Sequence, residues 1–322
     1  MSGKTLFPLL VAAALGASGP GGQGAYRVIA TVPLIVDGQV LRTFTFDPVA
    51  NRVYAGSDRG LFWIDLTEPQ PRLKGPMVKH DIIKVEMAPD VGRLFFLTKE
   101  EAWSVDVRQG AAPVMLGQVR AYDLAYEPVR QEVYVAPRQA VLWAFDARTG
   151  ERGPDVPLPG WLGRGLEAVP GRVFLDVEGQ RDLHVLDSAT RRVQPWKVKG
   201  RFIPPAYLDA DPKGRYLFAA FYRDIVAIDI GSATVVGHLV KPTPPAIAYD
   251  PGAGLLIAVW NEDPGGGVFD TRLGVYRVEA SGFVEVARLP NPSLGGVGVE
   301  PTSRGFIQQA RYSLVVWAWK TP

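Results

Sequence analysis

The stretch "DPKGRYLFAAFYRDIVAIDI", residues 211–230, decides how this chain is read. It opens on a Pro-Lys-Gly turn, runs through YLFAAF, breaks at the charged YRD and resumes as IVAID. Short runs of branched and aromatic residues between turn residues are the mark of β-strands. The same unit recurs along the chain. Its Pro-centred turns are "FDPVANR" (Pro48), "MAPDVGR" (Pro89), "YEPVRQE" (Pro128), "AVPGR" (Pro170), "ADPKGR" (Pro212), "YDPGAG" (Pro251) and "VEPTSRG" (Pro301), separated by 41, 39, 42, 42, 39 and 50 residues. A period near 40 is the signature of a repeat architecture.

Each Pro is followed by an apolar run, a polar break and a second run, as in "RLFFLT" and "AWSVDV". A third strand precedes each Pro, and a fourth follows the second run. Four strands in each of seven units predict an all-β chain, a seven-bladed β-propeller. Asp65, Asp106, Asp187 and Asp229 stand 17 residues after their Pro, and Asp146 stands 18 after. They are expected to staple turns, because an Asp side chain bonds backbone amides two residues on. The seventh unit stops early, whereas Tyr26–Leu34 is a spare strand. Its predicted partner is Ser313–Trp319, a pairing that closes the ring and hides open sheet edges. The insertion "NEDPGGGVFDTRLG" (Asn261–Gly274) accounts for the long interval and is expected to be a surface loop. Trp63, Trp103, Trp143 and Trp317 recur on third strands and read as packing residues.

The first 25 residues carry one Lys, an apolar stretch from Leu6 to Ala17 and then small residues. That is the layout of a secretory signal peptide, shorter than the roughly 20 apolar residues of a membrane span. The expected mature domain is therefore residues 26–322, exported to the periplasm or the extracellular space. Lys and Arg total 35 against 33 acidic residues, which gives no general attraction to nucleic acid. Cysteine is absent, which excludes disulfides, thiol nucleophiles and thiolate metal sites.

"DPKGRYLFAAFYRDIVAIDIGSATVV" (211–236) and "EPVRQEVYVAPRQAVLWAFDARTGE" (127–151) resemble the YVTN-type β-propeller repeat, a relative of WD-repeat and quinoprotein-like propellers. The likeness extends over nearly all of the chain after the leader. That group includes extracytoplasmic surface proteins, lactonases and subunits of quinoprotein dehydrogenases. The resemblance therefore implies a fold and leaves the activity open. "WAFDARTGE" also resembles the quinoprotein strand-turn signature, without the Trp that follows it there, so no quinone cofactor is expected.

Three residues before each Pro stand Thr45, Glu86, Ala125, Glu167, Asp209, Ala248 and Gly298. Small residues suit a crowded centre, so Glu86, Glu167 and Asp209 are the exceptions. A carboxylate there costs several kcal/mol unless it is paired or hydrated. Arg42, Lys84, Arg120 and Arg164 fall near the starts of inner strands, and Arg223 and Arg311 in turns at the same end. Guanidinium groups offer bidentate bonds to carboxylate, phosphate or acidic sugars, but they can equally pair with the inner carboxylates and with Glu100 or Asp224. His80, His184 and His238 occupy different places in different repeats, which gives no metal site of the zinc type. Glu86, Glu167 and Asp209 with water are the one arrangement open to Ca²⁺; no cofactor is otherwise expected. The expected function is a binding scaffold for a partner protein, a glycan or a small anion. The alternatives are a lactonase-like hydrolase using the inner carboxylates and a non-cofactor subunit of a quinoprotein-type dehydrogenase.

Overall fold

A computed structural model of the chain describes residues 26–33, 41–200, 207–241, 246–262, 270–289, 299–302, 305–309 and 313–319. Every regular element among the described residues is a β-strand. Six four-stranded antiparallel sheets are each built from strands consecutive in sequence. Their inner strands are Leu41–Asp47, Ile82–Ala88, Ala121–Glu127, Leu162–Val169, Tyr207–Ala210 and Ala246–Asp250, and the sheets are numbered one to six in that order. A composite sheet sets Tyr26–Pro33 beside Ser313–Trp319, followed by Gly305–Gln309 and Val299–Thr302. In it Tyr26 lies opposite Trp319 and Pro33 opposite Ser313. Consecutive inner strands lie side by side, and Val299–Thr302 touches both Ala246–Asp250 and Leu41–Asp47.

The core lies between sheets. In the second strand of sheet two, Arg93–Thr98, Leu94 and Phe96 pack with Tyr54 and Leu61 of sheet one. Phe95 and Leu97 of the same strand pack with Leu124, Val133 and Val135 of sheet three. Both faces are buried, so the strand reads as an unbroken apolar run rather than an alternating one. Each fully buried Phe contributes roughly 1.5–3 kcal/mol. The third-strand tryptophans serve the same seams: Trp103 stacks on Phe96, and Trp63 and Trp143 lie beneath Arg52 and Arg152.

Turn chemistry fixes the strand ends. Asp47 and Asp250, just before their Pro, each accept two amides of the turn that follows. The outer Asp65, Asp106, Asp146, Asp187 and Asp229 accept amides two or three residues on, as expected. Three residues after the Pro, the backbone is left-handed at Asn51, Gly92, Gln131 and Gly254, with φ of 51°, 71°, 54° and 68°. One expectation changes. The Asn261–Gly274 insertion lengthens two strands of sheet six, which stay paired out to Glu262 opposite Asp270; residues 263–269 lie outside the described residues.

Inner strands one to four carry a register shift near their leading ends, the ends opposite the Pro turns. A bulge of this kind re-aims side chains. In sheet two it lets Ile82 join Val85 and Met87 in the packed seam, while Lys84 and Glu86 share the other face. That is how a strand with an apolar start comes to present charged groups further along.

Candidate functional site

Lys84, Glu86, Asp123, Glu167 and Asp209 come from four consecutive inner strands and act on one another electrostatically. Lys84 Nζ lies 2.8 Å from Asp123 Oδ1. Burial works to strip the Lys84 proton, but Asp123, Glu86 and Glu167 outweigh it and hold the ammonium above its usual range. Burial pushes Glu86 up to about 7, against the pull of Lys84 and with the help of Asp123. Glu167 is raised by burial first and then by the charge of Asp209, and burial raises Asp209 as well. These carboxylates are half-buried in surface area yet densely surrounded by protein. One ammonium faces four carboxylates, an arrangement that favours keeping a proton among them.

Most of these groups also perform a structural task. A polar side chain on one inner strand accepts an amide from the next: Thr43 Oγ1 from Val85 at 3.2 Å, Asp123 Oδ2 from Leu166 at 3.3 Å, Asp209 Oδ2 from Tyr249 at 2.5 Å. Glu86 accepts the Tyr126 amide in the same way. Hydrogen bonds to a charged acceptor are worth roughly 1.5–3 kcal/mol, so these side chains stitch neighbouring sheets at their innermost edge. Glu167 stands outside the pattern: among the described residues no amide is bonded to it.

The sequence-predicted cations do not converge on this cluster as a set. Lys84 joins it. Arg120 instead lies at the surface, with Nε 2.7 Å from Glu100 Oε2, and the guanidinium holds that exposed carboxylate below its usual range. Arg223 is exposed in the turn after Phe221. Arg311 and the side chains of Arg42 and Arg164 lie outside the described residues. The histidines are dispersed: His80 packs on Trp103, His184 is buried on the third strand of sheet four, and His238 pairs with Asp224. No group of three potential metal ligands occurs among the described residues.

Sequence reasoning missed two features. Asp123 stands five residues before its Pro, on the same strand face as the position three before it, and strand alternation with Lys84 and Glu86 was the signal for it. The second is an aromatic surface. Tyr122, Trp161, Tyr207, Phe221 and Tyr222 are exposed aromatic side chains, at 40%, 54%, 53%, 36% and 67% exposure. All five lie at the leading ends of sheets three, four and five. Tyr122 and Tyr207 are near inner-strand starts, Trp161 precedes one, and Phe221 and Tyr222 form a turn. Arg138 lies 4.7 Å over the Tyr122 ring, and Arg120 and Arg223 border the same face.

No helix of the described residues is long and apolar enough to cross a membrane. No family model matches the chain, and no curated protein does. Many solved structures are similar to it, among them the following two. A chain of a mitotic checkpoint complex matches over 99% of each chain with a TM-score of 0.73 at 10% identity. A chain of hydrazine synthase from Kuenenia stuttgartiensis matches over 70% of this chain and 72% of that one, with a TM-score of 0.57 at 17% identity. At such identities the likeness shows the fold alone, and with the repeated four-stranded sheets it gives this chain a WD40-like β-propeller architecture.

Proposed function

We propose that this chain is an exported, closed seven-bladed propeller that acts as a scaffold for a partner protein, which it holds on the leading face of sheets three to five. The observation that carries the reading is the gathering of five exposed aromatic side chains, Tyr122, Trp161, Tyr207, Phe221 and Tyr222, on that one face, with Arg120, Arg138 and Arg223 beside them. Tyr, Trp and Arg dominate the binding energy of protein interfaces, and exposed apolar groups gathered on one face mark interaction sites. Ring closure is supported by the composite sheet and by the contact of Val299–Thr302 with inner strands one and six. Export rests on the apolar leader in residues 1–25 and is checked by the N-terminus of protein recovered from outside the native cell.

The experiment is quantitative co-purification from the native host, comparing the wild type with a Trp161→Ala, Tyr207→Ala, Tyr222→Ala variant. The expected result is a stoichiometric protein partner that the wild type retains and the variant loses. Identical recoveries, or a glycan that binds the wild type in place of any protein, contradict the reading.

One observation favours a second reading, a lactonase-like hydrolase. Glu86, Glu167 and Asp209 are all held above the ordinary carboxyl range, a direction that suits a carboxyl group to act as acid or base. Lactone hydrolysis abolished by Glu167→Gln supports that reading, and an absence of hydrolysis across a lactone panel removes it.

A further inference from the structure

The seams between sheets two and three and between sheets five and six are built on the same plan and filled differently. Tyr126 and Tyr249 each stand two residues before their Pro. In the first seam, the Tyr126 hydroxyl donates to Asp90 Oδ1 at 2.5 Å, and Gln131 Nε2 donates to Asp90 Oδ2 at 2.6 Å. One carboxylate thus receives two donors from the neighbouring sheet. Asp90 follows its Pro by one residue, and Gln131 follows its own by three.

In the second seam, the residue in the place of Asp90 is Lys213, and the residue in the place of Gln131 is Gly254. The acceptor has become a cation and the second donor has lost its side chain. What remains is a solvent-open cleft lined by Lys213, Arg215, Tyr216, Tyr249, Gly254 and Arg277 with Asp211 at its wall. Asp211 is engaged in its own turn, accepting the Lys213 amide at 3.0 Å, and Arg277 has Glu279 at 3.7 Å. Lys213 and Arg215 form no ion pair, and the Tyr249 hydroxyl no hydrogen bond, among the described residues. Arg215 lies 4.7 Å over the Tyr216 ring, which holds its guanidinium at the cleft.

We propose that the cleft between sheets five and six binds a small carboxylate ligand, whose carboxyl group takes the place that Asp90 fills between sheets two and three. Tyr249 donates to it as Tyr126 donates to Asp90. Lys213 and Arg215 supply the positive charge that neutralises the ligand's carboxylate, and the space vacated at Gly254 takes the body of the ligand. This site is on the Pro-turn face, at the opposite end of the strands from the aromatic surface, and stands independently of it.

The test is calorimetric titration of the full chain with succinate, citrate and inorganic phosphate at low ionic strength. It is repeated with a Lys213→Asp, Gly254→Gln variant, which rebuilds the filled seam. Gly254 has a φ of 68° and Gln131 holds 54° at the equivalent place, so a glutamine is accommodated there. A Cβ at Gly254 meets the Tyr249 hydroxyl at 3.8 Å, an ordinary contact. The expected result is saturable carboxylate binding that weakens by about tenfold or more in the double variant, as loss of charge-assisted hydrogen bonds requires. A Tyr249→Phe variant, with one oxygen removed, is expected to bind about three- to tenfold more weakly, and it decides the matter if the double variant fails to fold. Absence of binding by either carboxylate, binding of phosphate alone, or an affinity unchanged in Tyr249→Phe overturns the proposal.

Discussion

Lys84 on inner strand two and Asp123 on inner strand three meet at 2.8 Å across the seam between their sheets. Asp123 at the same time accepts the Leu166 amide of sheet four, so one ion pair ties three sheets together. Removing Lys84 leaves Glu86, Asp123, Glu167 and Asp209 without their shared cation. Breaking a fully buried pair costs about 3–5 kcal/mol, but the Lys84 side chain keeps 35% of its surface exposed. Lys84→Met is therefore expected to cost about 2 kcal/mol by urea denaturation at pH 7, and less at pH 5, where protonated carboxyls need the cation less.

The pH dependence of the raised carboxyls has a definite sign. A folded-state value above the unfolded one means that the folded chain binds more protons between the two values, so stability falls as pH rises through that window. For Glu86 the window runs from the ordinary 4.5 to about 7, and Glu167 and Asp209 act in the same direction. Glu167→Gln removes one of these charges without loss of volume. Its Tm is expected to exceed that of the wild type at pH 7.5 by about 1–2 °C, the shift that roughly 1 kcal/mol gives in a domain of this size. The difference is expected to shrink toward zero at pH 4.5. An equal gain at both pH values contradicts the electrostatic origin.

Tyr222 is held with a φ of 50° and is 67% exposed. A left-handed conformation costs a bulky residue roughly 1–2 kcal/mol, and strain of this kind persists where function requires the side chain. Tyr222→Gly is expected to raise the Tm by a few degrees while weakening partner capture. A variant that loses stability shows that the ring serves the fold rather than binding.

Thermal melts with EDTA and then with excess Ca²⁺ are expected to coincide, because the inner carboxylates are stitched to amides or share a proton. A ligand that binds only the folded state raises its stability, so a Ca²⁺-dependent rise in Tm that Glu167→Gln abolishes points to the hydrolase reading.

The period of the Pro turns and the strands between them were legible in the sequence because backbone turn chemistry and burial act locally. The carboxylates Glu86, Glu167 and Asp209 were legible for the same reason, as charges where small residues otherwise stand. Asp123 was legible too, by strand alternation from the position three before the Pro, but it stands one step further along the inner strand than the position that was compared. The aromatic face was not legible, since Tyr207 and Phe221 look like any strand aromatic until tertiary packing leaves them uncovered. The cleft between sheets five and six depends on which side chains cross a seam, and repeat alignment alone does not show that Lys213 and Tyr249 line one cleft.

The closed ring is the claim on which both proposed faces depend, and the absence of cysteine from the chain permits a direct test. Thr31 and Val315 are directly opposed in the composite sheet, a separation that suits a disulfide. In a Thr31→Cys, Val315→Cys variant, the account predicts oxidation to an intramolecular disulfide in the monomer, seen as the loss of two hydrogens by mass spectrometry and a higher Tm. A variant whose two thiols stay free under oxidising conditions, or join only between molecules, contradicts it.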